Sequence, residues 1–250
     1  MADVLLVHGA WHGPWCWRGF AERLTERGHR VRAALLRDHD RAGGKIWHRV
    51  SDYVVDVQQA AREFAQPPLL VGHSLGGLVV QKYLERQPAP GAVLMASLPP
   101  GGSLPVCWRL LRRHPRTFLS ANLQLSLRPF IMDEELVREL FLSPDRPIEL
   151  ARQLMTRLRD ESYLAFIDTI LFALPRPSCV RAPVLVLGAE RDGFLTVSDI
   201  ERTARAYGTK AEIFPRIGHD MMLDAGWELV ADRVAAWAAD IDTTNRAAVG

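Results

Sequence analysis

The sequence predicts an α/β domain built on a parallel sheet and interrupted by a helical insertion, and three observations predict it. Over roughly the first hundred residues, short apolar and β-branched runs alternate with amphipathic helical patterns, the mark of βαβ units. Between residues 99 and 178 strand patterns stop and leucine-arginine helical patterns take over. From Val184 the alternation resumes. A chain of 250 residues, 48% of them hydrophobic, can bury a core of this size.

Val4 to Val7 reads as the first strand. Pro14 opens a helix with Trp17, Phe20 and Leu24 on one face, and Gly28 closes it. Val31 to Leu36 reads as the second strand. Ser51 is the expected cap of a helix whose stripe is Val54, Val57, Ala61 and Phe64, and Pro67-Pro68 stop it before a strand at Leu69 to Gly72. A helix from Leu75 to Arg86 and a strand from Ala92 to Ala96 complete this half. Pro115, Pro129, Pro144 and Pro147 cut the insertion into about four or five short helices. A strand at Val184 to Leu187, a helix at Val197 to Tyr207 and a strand at Ala211 to Phe214 follow. The last helix carries Trp227, Val230, Val234 and Trp237 as a buried stripe. The expected division is a core at 1–98 and 179–240, a helical cap at 99–178 and a flexible tail at 241–250.

Composition excludes several functions. Thirty-one lysines and arginines against 29 acids leave a net charge of +2, too balanced for a nucleic-acid partner. No apolar run reaches the roughly 18 to 20 residues that span a bilayer, so no integral membrane segment is expected. MADVLLVHGAW lacks a basic n-region and reads as a strand rather than a signal peptide, which implies a cytoplasmic protein. Cys16, Cys107 and Cys179 lack metal or disulfide spacing and are expected as buried free thiols. HxxEH-type spacing and a GxxxxGK[ST] loop are both missing, so neither metal nor organic cofactor is expected.

The chemistry-bearing stretch is GHSLGG at residues 72 to 77, placed where a strand becomes a helix. Gly72-His73-Ser74-Leu75-Gly76 fits G-x-S-x-G, in which a sharp turn lifts the serine clear of the strand end. Glycines flank it because side chains there would collide with the neighbouring strand and helix. A serine hydroxyl needs a base to take its proton and an acid to orient that base. His219, in PRIGHDMM after the strand at Ala211, is the expected base. Asp192, in GAERDGF after the strand at Val184, is the expected acid, with Glu190 and Asp220 as rivals. Two backbone N–H groups, from Leu75 and from Ala10 in HGAWHGPW, are placed to hold an oxyanion, with Trp11 as the lesser alternative to Ala10.

VHGAW, GHSLGG, GAERD and GHDMM, in that order over nearly the whole chain, resemble the α/β-hydrolase superfamily. VHGAWHGPWCW followed by GHSLGG resembles its plant methylesterase and hydroxynitrile lyase group and their bacterial esterase-like relatives. The resemblance implies a triad of Ser74, Asp192 and His219, oxyanion donors at Ala10 and Leu75, and a sheet of six parallel strands that starts at the strand bearing His-Gly. Gly9 stands where the lyases carry threonine and Asp220 where they carry lysine, departures that favour ester hydrolysis.

The expected activity is therefore that of a serine carboxylesterase or lipase-like enzyme, acting through an acyl-enzyme on a small-molecule ester with an apolar acyl or alcohol part. Thioesters, lactones and carbon-carbon bonds are compatible with the same residues. So is a binding protein that keeps the fold without turnover. In such folds the insertion roofs the site, which makes Trp11, Trp15, Trp108, Phe118 and Phe166 the first candidates for the substrate wall. Leu104, Leu111, Leu125, Phe130, Phe141, Leu158, Ile170 and Phe172 form a wider set. Arg109, Arg112, Arg113 and Arg116 read as a solvated helix face, with the steering of anionic esters or a phospholipid surface as the alternative, and the apolar cap as a face for a homodimer.

Overall fold

The computed structural model describes residues 1–40 and 47–249. Six strands form one parallel sheet: β1 (Asp3–Val7), β2 (Arg30–Ala34), β3 (Leu69–His73), β4 (Ala92–Met95), β5 (Val184–Ala189) and β6 (Ala211–Phe214). Their spatial order is β2-β1-β3-β4-β5-β6, and every neighbouring pair is parallel. Strands covered on both faces read as continuous apolar runs, and β3 and β4 are buried at every residue. Helices α1 (Arg18–Glu26), α2 (Val50–Ala61) and α3 (Leu75–Leu84) are the crossovers of the first half. The expected first helix begins instead as a 3-10 turn, Pro14–Trp17, that leads into α1.

Two of the boundaries that differ from the sequence reading have a tertiary reason. The β2 ladder ends at Ala34 because β1, its partner, ends at Val7 opposite it. Leu36 stays buried, but its N–H goes to Nε2 of His8 at 3.3 Å. Helix α2 starts one residue before Ser51, and Ser51 is not its cap. The Arg49 N–H donates to Asp52 at 2.8 Å and the Val50 N–H to Asp168 at 3.1 Å, so a carboxylate from the distant insertion serves an amide that a local serine was expected to serve.

Between β4 and β5 every described regular element is helical. It comprises α4 (Leu104–Arg113), α5 (Pro115–Gln124), α6 (Glu134–Phe141), α7 (Ile148–Arg157) and α8 (Tyr163–Ile167), with a π-helical turn at Asp168–Phe172 and 3-10 turns at Arg128–Ile131 and Pro177–Cys179. Arg109 is half-buried, and both it and Arg113 make contacts that a merely solvated face does not imply. Arg109 reaches Asp199 at 2.5 Å and the Phe194 carbonyl at 3.0 Å, and Arg113 the Gly193 carbonyl at 3.1 Å. They tie α4 to the loop after β5. Arg112, Arg113 and Arg116 are exposed.

Helix α9 (Val197–Ala206) opens on a capping box between Thr196 and Asp199. Helix α10 (Trp227–Val249) buries Val230, Ala231, Val234, Ala235 and Ala238, with Trp227 and Trp237 partly buried against the same core. It continues through residues 241–249, which the sequence reading leaves as a tail; residue 250 lies outside the described residues. Cys16 and Cys107 are buried free thiols, but Cys179 is exposed because its 3-10 turn buries nothing. Among the described residues no helix is long and apolar enough to cross a membrane.

Candidate active site

The carboxyl ends of β3 and β5 and the loop after β6 bring the three predicted polar residues together. Ser74 sits between β3 and α3 at φ 53° and ψ −119°, a left-handed conformation that a non-glycine residue holds only under constraint. The constraint is the close packing of α3 on the sheet. A Cβ on Gly72 would lie 2.6 Å from the Gly76 carbonyl oxygen, and one on Gly76 would lie 2.5 Å from that of Val7. Gly76→Ala is therefore expected to lower stability by about 1–3 kcal/mol through overpacking. Urea unfolding measures this, and an unchanged midpoint with an unchanged slope would contradict the packing account.

Nε2 of His219 lies 2.9 Å from Ser74 Oγ, and its Nδ1 lies 2.8 Å from Asp192 Oδ2. A carboxylate only accepts, so Nδ1 carries the proton and Nε2 is left to receive the serine's. Asp192 is held in turn, its Oδ1 accepting the N–H groups of Phe194 at 2.8 Å and Leu195 at 2.9 Å. Burial disfavours the imidazolium of His219, but the charge and hydrogen bond of Asp192, with a further contribution from Asp220, outweigh it and raise the pKa above the ordinary histidine value.

The rival acids are engaged elsewhere. Asp220 lies 3.0 Å from Nε2 of His12. Glu190 accepts the Arg216 N–H at 3.1 Å and is exposed. His73 cannot serve as base: burial, followed by the charge of His219, drives its pKa down to about 3. Its Nε2 instead donates to the His219 carbonyl at 2.9 Å and tethers that loop.

The loop after β1 is held by its carbonyls. Nδ1 of His8 donates to Gly9 O at 2.9 Å, Nδ1 of His12 to Ala10 O at 2.8 Å, and the Arg159 N–H to Trp11 O at 2.9 Å. Trp11 is forced to φ 62°. Among the described residues neither the Ala10 nor the Leu75 N–H meets an acceptor, and both residues border the same cavity as Ser74. Two unpaired donors beside a nucleophile can bind an oxygen that gains charge.

That cavity, about 80 Å³, lies between the sheet and the helices inserted after β4. Trp11, Phe118 and Phe166 line it as the sequence suggests, and so does Phe130 from the wider set. Trp108 does not: Val106, Cys107 and Leu110 turn inward at helical spacing, which leaves Trp108 on the outer face, 59% exposed. Trp15 is also outside the wall, stacked on His12 at 5.3 Å with the Arg157 guanidinium 4.3 Å from its ring. Phe141 and Leu158 are buried behind the lining, and Leu104, Leu125 and Phe172 are exposed. Leu111 and Ile170 also fall outside the lining.

Sequence reasoning missed Leu98, Leu127, Phe194, the inward face of α4 and the polar lining residues Ser103, Glu161 and Thr169. Phe194 had a signal. It follows Asp192 by two positions in the loop after β5, and its ring lies 4.8 Å from that of His219. Cys107 and Leu110, three residues apart, likewise mark a helix face.

A family model described as the alpha/beta hydrolase family matches residues 4–233. The carbendazim hydrolyzing esterase of Nocardioides sp. (strain SG-4G) is 37% identical over 94 residues, 34% of this chain and 37% of that protein. Methyl jasmonate esterase 1 of Vitis vinifera is 29% identical over 168 residues, 60% of this chain and 64% of that protein. The chain thus spans less than two thirds of either curated relative. An extracellular alpha/beta-hydrolase from a Paenibacillus species superposes with a TM-score of 0.72 at 17% identity, over 93% of this chain and 97% of that one. With the sheet, the sharp turn at Ser74 and a family match over most of its length, the chain belongs to the alpha/beta hydrolase family.

Proposed function

We propose that the chain is a serine esterase that cleaves small-molecule carboxylic esters with an apolar acyl or alcohol part through an acyl-enzyme. The observation that carries this is the ring of His219 bridging Ser74 and Asp192 beneath an apolar cavity. Ser74 Oγ attacks the ester carbonyl as its proton passes to Nε2 of His219. The N–H groups of Ala10 and Leu75 hold the oxyanion. His219 returns the proton to the leaving alcohol, and then takes one from the water that releases the acid.

The helices inserted between β4 and β5 act as a cap, and Trp11, Phe118, Phe130 and Phe166 choose the substrate. Relatives named as esterases support the reaction class. Asp220 supports hydrolysis over cyanohydrin cleavage, since its carboxylate, paired with His12, occupies the place of the lyases' lysine. Free thiols at all three cysteines support the cytoplasm as compartment. The exposed Leu104, Trp108 and Leu123 of the cap offer the face for a homodimer.

A cavity of about 80 Å³ is small beside the roughly 300–1,000 Å³ of typical ligand pockets. Across p-nitrophenyl esters from acetate to palmitate, kcat/KM is expected to peak between acetate and butyrate and to fall with longer chains. No turnover on any member by folded protein would overturn the esterase reading.

A further inference from the structure

We propose that His12 and Asp220 are positioning residues of the reaction, a buried strut that holds the oxyanion donors in register with the catalytic base. The inference rests on the esterase reading and deepens it. Three histidine rings pack together at the site: His12 lies 6.1 Å from His73, and His73 lies 4.8 Å from His219. The mechanism uses His219, and His73 tethers its carbonyl. His12 is left over.

His12 has two partners, one on each side of the site. Its Nδ1 donates to the Ala10 carbonyl at 2.8 Å, and its Nε2 lies 3.0 Å from Oδ2 of Asp220, the residue that follows the base. The Ala10 N–H shares its peptide unit with the Gly9 carbonyl, which His8 holds, and His12 holds the carbonyl of the next unit. Both peptide planes around the Ala10 Cα are thereby fixed. Asp220 is anchored as well: its N–H donates to the Phe141 carbonyl at 2.8 Å, and its carbonyl takes the N–H groups of Leu223 at 2.8 Å and Asp224 at 2.9 Å. Its position passes directly to His219, its neighbour in the chain. The strut thus joins the oxyanion loop to the loop of the base across 208 residues.

Packing alone does not call for such a pair. Both side chains are buried, and Asp220 Oδ1 has no partner among the described residues. Taking a carboxylate out of water costs free energy that a hydrophobic residue of similar size would not. Burial disfavours the ionised form, but the charge and hydrogen bond of His12 outweigh it and hold the Asp220 carboxyl below the ordinary carboxylate range. A carboxylate only accepts, so Nε2 of His12 donates to it. With Nδ1 on the Ala10 carbonyl and Trp15 stacked on the ring at 5.3 Å, His12 is held to one orientation, as a spacer between donors and base must be.

The test separates positioning from packing by counting active sites. Diethyl p-nitrophenyl phosphate releases one p-nitrophenolate per competent Ser74, so kcat on p-nitrophenyl butyrate can be expressed per titrated site whatever fraction of a variant is unfolded. His12→Ala and Asp220→Ala are each expected to lower that kcat by about 10- to 100-fold with KM within about threefold, since donors and base act on the transition state. The double substitution should cost no more than the larger single one, because either change removes the same strut. Asp220→Asn should restore most of the rate, its amide donating to Nε2 while Nδ1 stays on the Ala10 carbonyl. Four results would each overturn the strut and leave the esterase reading standing: per-site rates that match the parent in both alanine variants, losses confined to KM, losses that multiply in the double variant, or an asparagine variant as slow as Asp220→Ala. A parent that hydrolyses no ester overturns both.

Discussion

Ser74→Ala is expected to lower kcat/KM on p-nitrophenyl butyrate by about a millionfold, the scale of nucleophile loss in enzymes of this type. The loss is large because nothing else in the site can replace the hydroxyl. Ser74 Oγ is the atom 2.9 Å from Nε2 of His219, and the turn that carries it is locked by the packing of Gly72 and Gly76. Alanine fits the same backbone, since Ser74 makes no side-chain cap bond to α3, so the variant should fold and bind. A rate within tenfold of the parent would mean that His219 activates water directly.

Asp192→Asn is the second large effect, expected to cost about 10⁴-fold. The amide can donate toward Nδ1 and so favours the tautomer that places a proton on Nε2, where the serine's proton must go. A change in pH dependence should accompany the loss. In the parent, His219 must be neutral to act, and Asp192 raises its pKa above the ordinary value. The acid limb of kcat/KM should therefore bend above about 6.5, with activity rising as pH rises through it. Removing the Asp192 charge leaves burial as the dominant influence on His219, so the limb should move to lower pH in the variant. A limb that stays in place would separate Asp192 from the titration of His219.

The sequence made much of this legible because the site lies at strand ends. β-Branched runs locate the strands, and residues immediately after β3, β5 and β6 must gather at one edge of a parallel sheet. Ser74, Asp192 and His219 each follow a run of that kind. Less legible were features set by distant partners. The start of α2 depends on Asp168, more than 100 residues away. The engagement of Asp220 by His12 across 208 residues, which separates it from Asp192 as a candidate acid, is likewise invisible in local pattern. The cap was the hardest part. Apolar residues there face the cavity, the cap's own core or solvent, and Trp108 and Phe118 look alike until the helix faces are known. The inward set Val106, Cys107 and Leu110 shows that helical spacing carries this information once a single facing residue is fixed.

The most direct test of the central claim is intact-mass spectrometry of the rapidly quenched parent protein during turnover of p-nitrophenyl butyrate, with the modified peptide sequenced. One butyryl group on Ser74, formed and lost at rates that match turnover and missing from Ser74→Ala, is the predicted result. Turnover with no acylated protein at any time, or with the acyl group on another residue, would contradict the account.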